Sequence, residues 1–257
     1  NIRDWSSDVC SSDLIVNDAQ PGHTIRISGG CYANVSLAGN TLLSVDKNLT
    51  IEGGWNTDFT ERDINDTPGV LNGNGVARVL NIAPGATLTV DGITIQNGAA
   101  ITGASASGIE NQGTLILSDS QVRDHTTADI SAVLNHTGAT LIVRDSFVTD
   151  NGRDNGNGGG IVNQGTLIMT NSILARNFTQ TGQTAALLNE GNATLTNSVI
   201  SRNTVVGTGN VGGVTNTNAA TLNLNNSIIW DNSAQQVLNS GTLNLRNTIV
   251  QGGSTLI

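Results

Sequence analysis

The sequence contains few of the residues that build disulfide scaffolds, metal sites or aromatic cores. Its 257 residues include two cysteines, three prolines, three tryptophans, three phenylalanines, one tyrosine and one methionine. Two cysteines without a CxxC spacing or paired histidines provide no metal framework, and they imply no disulfide. No apolar run approaches the roughly 20 residues of a membrane-spanning helix. These absences argue against a zinc module, a disulfide-rich domain and a helical membrane protein.

Basic residues are also scarce. Eleven lysines and arginines face 20 acidic residues, which gives a formal net charge of −9. An acidic chain argues against nucleic acid or an anionic membrane as partner. Helix-forming residues never gather into a stripe of period 3.6, and what remains is a chain rich in glycine (31 residues), asparagine and threonine. The composition therefore favours β structure with many bends.

The first fourteen residues do not share the pattern of the rest. Residues 4–14, DWSSDVCSSDL, resemble a frame translation of a common short-read sequencing adapter. We therefore interpret residues 1–14 as a non-native tail and expect it to make no sequence-specific contact with the fold. Without its three aspartates the net charge is about −6. Residues 15–257 are assigned to one domain, which we expect to be truncated at both ends and to lack its signal peptide.

A long internal repeat dominates the remainder. Its apolar anchors are Val90, Leu117, Val143, Met169, Leu195, Leu224 and Leu245, at intervals of 27, 26, 26, 26, 29 and 21 residues. The positions two before and five after each anchor are apolar in every repeat. The spacing of two is the period with which a strand points side chains to one face. A step of five would point the next apolar residue to the opposite face, so a bend must lie between them.

Polar residues mark the bends. Two residues after each anchor stand Gly92, Asp119, Asp145, Asn171, Asn197, Asn226 and Asn247, each followed by an apolar residue or by serine or threonine. Eight residues after it stand Gly98, His125, Asn151, Asn177, Asn203, Asn232 and Gly253. In a third column, an asparagine ends a short apolar run upstream of each anchor, from Asn81 in the first repeat to Asn239 in the last. Asparagine and aspartate bond to nearby backbone and tolerate left-handed angles, so three strands and three bends are predicted per repeat.

One such coil cannot bury its apolar face alone, whereas stacked coils can. The predicted fold is therefore all-β: a right-handed parallel β-helix of about nine coils with a period of about 26 residues. Residues 15–75 form N-terminal cap coils and residues 76–257 form regular coils. Leucine-rich repeats require a shorter period and a helical side, and propeller blades a longer period with aromatic signatures.

Three segments carry a resemblance to a known family. The coil GGGIVNQGTLIMTNSILARN, the opening PGHTIRISGGCYANV and the GGW bend that follows it resemble the pectate-lyase-like parallel β-helix superfamily. Within it, bacterial extracellular and polymorphic outer-membrane-protein-like repeat proteins are most similar. The resemblance covers roughly residues 15–257 and implies a fold rather than an activity, since the same fold serves lyases, hydrolases, adhesins and spikes. The hydrolases' Gly-His-Gly and Arg-x-Lys motifs are not found in this sequence.

One exposed column is the candidate ligand-binding site. Seven residues after the anchors stand Asn97, Asp124, Asp150, Arg176, Arg202, Asp231 and Gly252. Asp124 stacked over Asp150 would form a carboxylate pair suited to acid–base chemistry or to a cation. The alternative, which we favour, is charge pairing along the stack, with Asp150 beside Arg176 and Arg202 beside Asp231. No catalytic residue is assigned. His125 and His136 are interpreted as solvated or ladder-edge histidines.

Loops at one bend complete the candidate site. The segment DNGRDNGNGGG, which includes Asp154, superficially resembles a calcium loop, but Gly152 stands where a ligand is required. No cofactor or metal is therefore assigned, although Ca²⁺ is left open. Similar loops follow His125, Asn177 and Asn203, so they are expected to cluster along one edge, where function usually lies.

The sequence favours a non-catalytic extracellular module. We expect a secreted or cell-surface stalk, adhesin or glycan-binding passenger, with glycans or cell-surface partners and no nucleic acid. The alternative is a polysaccharide lyase or glycoside hydrolase acting on extracellular polysaccharide. The sequence does not define the ligand, the anchoring mode or the oligomeric state.

Overall fold

The computed structural model describes residues 2–6, 16, 18–32, 41–99, 106–125, 131–152, 159–180, 184–206 and 210–252. Its regular elements are short strands, and the first six belong to the N-terminal part. These are β1 (Ile2–Ser6), β2 (His23–Ser28), β3 (Gly30–Tyr32), β4 (Thr41–Val45), β5 (Leu49–Glu52) and β6 (Gly69–Asn72). Residues 53–68 form an insertion between β5 and β6, which begins at the predicted GGW bend. In this insertion Trp55 lies under the guanidinium of Arg26, 3.8 Å from the ring centre.

Seven regular coils follow. Their strands are β7 (Arg78–Ile82), β8 (Thr87–Asp91), β9 (Ile93–Gln96), β10 (Ile109–Asn111), β11 (Thr114–Ser118), β12 (Gln121–Arg123), β13 (Ser131–Asn135), β14 (Thr140–Arg144), β15 (Phe147–Thr149), β16 (Gly159–Asn163), β17 (Thr166–Thr170), β18 (Ile173–Ala175), β19 (Phe178–Thr179), β20 (Leu187–Asn189), β21 (Asn192–Thr196), β22 (Val199–Ser201), β23 (Thr204–Val205), β24 (Val211–Asn216), β25 (Thr221–Asn225), β26 (Ile228–Trp230), β27 (Gln235–Asn239), β28 (Thr242–Arg246) and β29 (Ile249–Val250). The expected nine coils included the N-terminal ones, which carry an insertion or fewer strands.

Three parallel sheets run the length of the stack. Sheet A has ten strands in the order β1-β2-β5-β8-β11-β14-β17-β21-β25-β28. Sheet B has nine, β3-β6-β9-β12-β15-β18-β22-β26-β29, and sheet C has eight, β4-β7-β10-β13-β16-β20-β24-β27. Each strand pairs with its copy in the next coil, so equivalent residues stack about 4.8 Å apart. The predicted all-β parallel β-helix with a period near 26 residues is confirmed.

The core consists of the predicted apolar columns. In the fourth regular coil Leu167 is 1% exposed, whereas Met169 and Leu174 are fully buried. The equivalent positions are buried from β8 through β26, where they form one continuous cluster. The last coil differs: Leu245 is 39% exposed, because the structure describes no further coil that would cover it. The register predicted from the anchors is therefore correct.

Two buried asparagine ladders support the bends. At the corner between sheets C and A, six amides bond in sequence at 2.7–2.8 Å: Asn111, Asn135, Asn163, Asn189, Asn216 and Asn239. At the corner between sheets B and C, Asn151, Asn177, Asn203 and Asn232 bond at 2.8–2.9 Å. Each bond contributes about 1 kcal/mol, and a lost partner leaves a buried amide unsatisfied. The ladders therefore fix the stacking of the coils.

The corner between sheets A and B has a different design. Aspartate or asparagine occupies a left-handed conformation there in six successive coils, with φ between 48° and 51°, and Gly92 does so in the first coil at 67°. The hydroxyl of the serine that follows accepts a hydrogen bond from the backbone N–H of the equivalent residue one coil earlier. Ser146 Oγ, for example, accepts from the Ser120 N–H at 3.0 Å. The predicted Asx–Ser turn is confirmed.

One sequence-based expectation is wrong, and the structure adds a finding about the tail. Asn81 is not a ladder member, because Ile82 stacks on Asn111 and the asparagine faces outward beside Glu110. The tail was expected to make no sequence-specific contact, and the backbone of Ile2–Ser6 pairs in parallel with β2. Main-chain hydrogen bonds at an open sheet edge do not depend on side-chain identity, so an unrelated extended segment can add a strand. The domain boundary at residue 14 stays a prediction.

Candidate functional site

The charged column predicted from the sequence lies at the corner between sheets B and C. Asp124, Asp150, Arg176, Arg202 and Asp231 all adopt left-handed backbone angles, with φ between 54° and 59°. Each coil turns at this residue, which brings its side chain to the surface of the stack. Asp154 lies outside the described residues, as do the predicted loops at 126–130, 153–158, 181–183 and 207–209. We call the five described residues the charged row.

Charges in this row are paired. Arg176 donates from Nε and from a terminal nitrogen to the two carboxylate oxygens of Asp150, at 2.8 and 2.7 Å. These hydrogen bonds to the Asp150 carboxylate raise the pKa of Arg176 above its ordinary value. Arg202 lies 3.6 Å from Asp231. Asp124 contacts the neighbouring Arg123 at 2.5 Å. The two ion pairs expected along the stack are therefore present, while a ligand-binding role for the row stays a prediction.

An exposed apolar row, which the sequence-based reading missed, runs beside the charged row on the outer face of sheet B. Five successive coils place an apolar residue at one register position: Phe147, Ile173, Val199, Ile228 and Ile249. Phe147, Ile228 and Ile249 are 43%, 39% and 55% exposed. Trp230, 49% exposed, stands two residues further along the same strand as Ile228. We call these six residues the apolar stripe.

An exposed row of amides borders the stripe on its other side. It consists of Asn171, Asn197, Asn226 and Asn247 at the corner between sheets A and B, and it continues from Asp145. Asn171 donates to Asp145 and Asn197 donates to Asn171, both at 3.2 Å. Asn247 donates to Asn226 at the same distance. The outer face of sheet B thus presents an apolar stripe between an amide row and the charged row, all parallel to the axis of the stack.

The amide row becomes acidic toward the N-terminus. Asp119 precedes Asp145 along this corner, and Asp91, at the end of β8, stacks on the residue before Asp119. Burial, then the charges of Asp91 and Asp145, raise the pKa of Asp119 above its ordinary value. Arg62 from the insertion bonds to the Asp91 carboxylate at 2.7 Å. Within the described part of the chain, no three histidine, cysteine or acidic side chains are placed to hold a metal ion. The Ca²⁺ left open by the sequence stays untested.

A buried ionic cluster on the outer face of sheet C was also missed. The Glu110 carboxylate is 8% exposed and lies 2.9 Å from the Arg78 guanidinium and 2.6 Å from His136 Nε2. Arg78 Nε donates to the carbonyl of Ala106 at 3.0 Å. Burial lowers the pKa of Arg78, and the charge of Glu110 partly offsets this effect. The cluster therefore connects three successive coils.

His125 occupies the first position of the ladder between sheets B and C. It is fully buried, and its Nδ1 accepts the backbone N–H of Gly98 at 2.9 Å. Among the described residues, its Nε2 has no hydrogen-bond partner. The ring fits only because Gly98 and Gly108 leave room: a Cβ on either would lie 2.6 or 2.7 Å from a ring nitrogen. Burial lowers the pKa of His125 to about 3. This is a ladder-edge histidine, as predicted, but it is not solvated.

Comparison with known proteins adds no relative. No family model, curated protein or solved structure matches the chain. No helix in the described residues is long and apolar enough to cross a membrane. The parallel β-helix architecture and the surface of sheet B therefore carry the functional argument.

Proposed function

We propose that this protein is a non-catalytic, extracellular β-helix module that binds glycans along the outer face of sheet B. The proposal rests on one observation, the apolar stripe with its polar borders. Surface apolar residues are ordinarily scattered singly, so their alignment in five successive coils favours an interaction site. The extracellular location rests on the resemblance to bacterial surface β-helices. The stalk, adhesin or passenger role follows from the same resemblance.

The dimensions of the stripe favour a glycan over a protein. Five stacked residues span about 20 Å along the axis, and the stripe is one side chain wide except where Trp230 widens it. A stable protein interface needs about 800 Å² on each partner. An extended glycan is narrow enough to be contacted along its length by such a strip. Its occupant is therefore a single extended chain.

The chemistry of the three rows matches that of sugars. Pyranose rings offer apolar C–H faces that pack on aromatic and aliphatic side chains, with Phe147 at one end of the stripe and Trp230 near the other. Their hydroxyls need donors and acceptors at the edges, which the amides of Asn171 and Asn197 and the ion pairs of the charged row supply. Large apolar area with a few placed polar groups is the usual composition of a ligand site.

The test is a binding panel of neutral polysaccharides, measured by affinity electrophoresis and by calorimetry. Ile228→Thr and Trp230→Ala remove apolar area from the stripe and should weaken binding by about tenfold or more. The matched control is Ile168→Thr, because Ile168 is equally exposed at 39% but lies on sheet A. Equal losses in the stripe and control variants, or no binding by the wild-type protein, would contradict the proposal.

The rival function, polysaccharide cleavage, is tested on the same panel. Products are followed as unsaturated-sugar absorbance and as new reducing ends. We expect no turnover, since a general base must be free to take a proton and both Asp150 oxygens accept from Arg176. Turnover that disappears in both Asp124→Asn and Arg176→Ala would make the charged row an active site and replace the binding proposal.

A further inference from the structure

An open surface pocket lined by polar residues lies across the amide row from the stripe, over the last three coils. Its volume is about 360 Å³, within the range of small-ligand sites. The lining residues are Thr196, Asn225, Asn226, Arg246 and Asn247. They come from β21, β25 and β28 and from the turns that follow the last two strands. The pocket therefore depends on the register of three stacked coils.

The lining supplies hydrogen-bond donors and one positive charge. It brings a guanidinium, three side-chain amides and one hydroxyl, and it contains no carboxylate. Arg246 forms no ion pair or side-chain hydrogen bond with any residue that the structure describes. Asn226 Oδ1 accepts from Asn247 Nδ2, which leaves the Asn226 NH₂ group to point elsewhere. A site with these donors is suited to an anion.

The geometry narrows the kind of anion. Five side chains from three coils supply hydrogen-bond donors, and the three terminal oxygens of a sulfate or phosphate ester can accept from more of them than the two oxygens of a carboxylate. A protein with net charge −9 repels a dianion more strongly than a monoanion. A sulfate ester is tetrahedral and carries a single charge. A phosphate monoester at neutral pH carries close to two charges.

We propose that this pocket binds a sulfate ester on the glycan that lies along the stripe. The inference rests on the proposed function, because the amide row separates the pocket from the stripe and a substituted sugar can bridge it. Arg246 pairs with the sulfate, while Asn225 and Asn226 donate to its remaining oxygens. The stripe then contacts the glycan, and the pocket selects sulfated members of that class.

The test is a nuclear magnetic resonance titration with four sugars: glucose 6-sulfate, glucose 6-phosphate, glucuronate and glucose. Glucose 6-sulfate should shift the side-chain amide signals of Asn225, Asn226 and Asn247, with the tightest dissociation constant of the four. Arg246→Gln should weaken it by at least about tenfold, because a charged hydrogen-bond partner is lost. Arg144→Gln is the matched control, since Arg144 is exposed in the same outward column four coils earlier.

The outcomes separate this inference from the proposed function. Binding of glucuronate or glucose 6-phosphate as tightly as the sulfate would overturn the choice of a sulfate ester. Equal binding of inorganic sulfate would make the pocket a bare anion site and overturn the sugar part. No effect of Arg246→Gln, together with stripe-dependent binding of neutral glycans, would overturn this inference and leave the proposed function standing. Loss of stripe-dependent binding alone would overturn the proposed function.

Discussion

The buried imidazole of His125 makes a measurable prediction about acid stability. Its pKa is about 3 in the folded protein, against an ordinary value of 6.5. Below pH 6.5 the unfolded chain takes up a proton that the folded chain refuses. The free energy of unfolding therefore falls as the pH drops from 6.5 toward 3, and His125 adds no pH dependence above that window. Integrated from pH 7 to pH 4, this loss amounts to about 3 kcal/mol.

The perturbation that tests this is His125→Asn. Asparagine occupies the same column in the next four coils, so its Oδ1 can accept the Gly98 N–H that Nδ1 accepts now. The replacement also removes Nε2, for which the described part of the chain offers no hydrogen-bond partner. The assay is guanidinium denaturation of both proteins at pH 7 and at pH 4. Wild type should lose about 3 kcal/mol more than the variant between these conditions.

The comparison is designed to cancel other titrations. Glu110, His136 and the surface carboxylates are common to both proteins, so their contributions to the pH dependence subtract out. Parallel pH profiles for the two proteins would refute the argument. A second measurement on the wild type alone follows the His125 ring by nuclear magnetic resonance. The ring should remain neutral at pH 5, and a ring that titrates near pH 6.5 would be equally decisive against it.

Three further predictions concern the stack. Leu167→Ala should lower stability by about 2–5 kcal/mol in calorimetry, because it leaves a cavity in the core, whereas Leu245→Ala in the open last coil should cost less than about 1 kcal/mol. Asn177→Ala should lower the free energy of unfolding by about 1–3 kcal/mol, because it breaks the buried ladder. Asn171→Ala, in the exposed amide row, should change it by no more than about 0.5 kcal/mol in the same calorimetric scans. Asp150→Asn should change the melting free energy by only about 0–1 kcal/mol, because its ion pair is solvent-exposed. A cost as large as that of Leu167→Ala in any of the exposed positions would show that the assigned burial is wrong.

The fold could be predicted because each coil repeats the same local chemistry. Apolar residues at fixed offsets specify the inward face, and the Asx–Ser pair specifies a left-handed turn without reference to the rest of the chain. The same logic failed at Asn81. The ladder asparagines lie six or eight residues before their anchors, whereas Asn81 lies nine before Val90 and Ile82 takes the position eight before it. The apolar stripe could have been found, since it occupies the position four residues after the anchor in five successive repeats.

The ionic cluster could not have been predicted from the repeat. Glu110 and His136 both lie seven residues before their anchors, yet Glu110 stacks on Leu134, and Arg78 lies twelve residues before its anchor. The three side chains meet only because three coils stack in register. The pocket around Arg246 also joins different columns, because its lining combines one strand column with the turn column beside it. Columns are visible in a sequence, whereas contacts between different columns require knowledge of the turn lengths that set how coils align.

The departures from the repeat are not evenly distributed along the stack. Glu110 stands in the column that Leu134, Val162 and Leu188 fill in later coils, and His125 stands in the column of the buried asparagines. Both lie in the second regular coil, whereas the stripe and the Arg246 pocket belong to coils three to seven. In a solenoid each coil contacts mainly its neighbours, so coils can open separately. Acid should therefore loosen the N-terminal coils first, because in coils three to seven, which carry the surface proposed to bind glycans, none of the described titratable groups is buried.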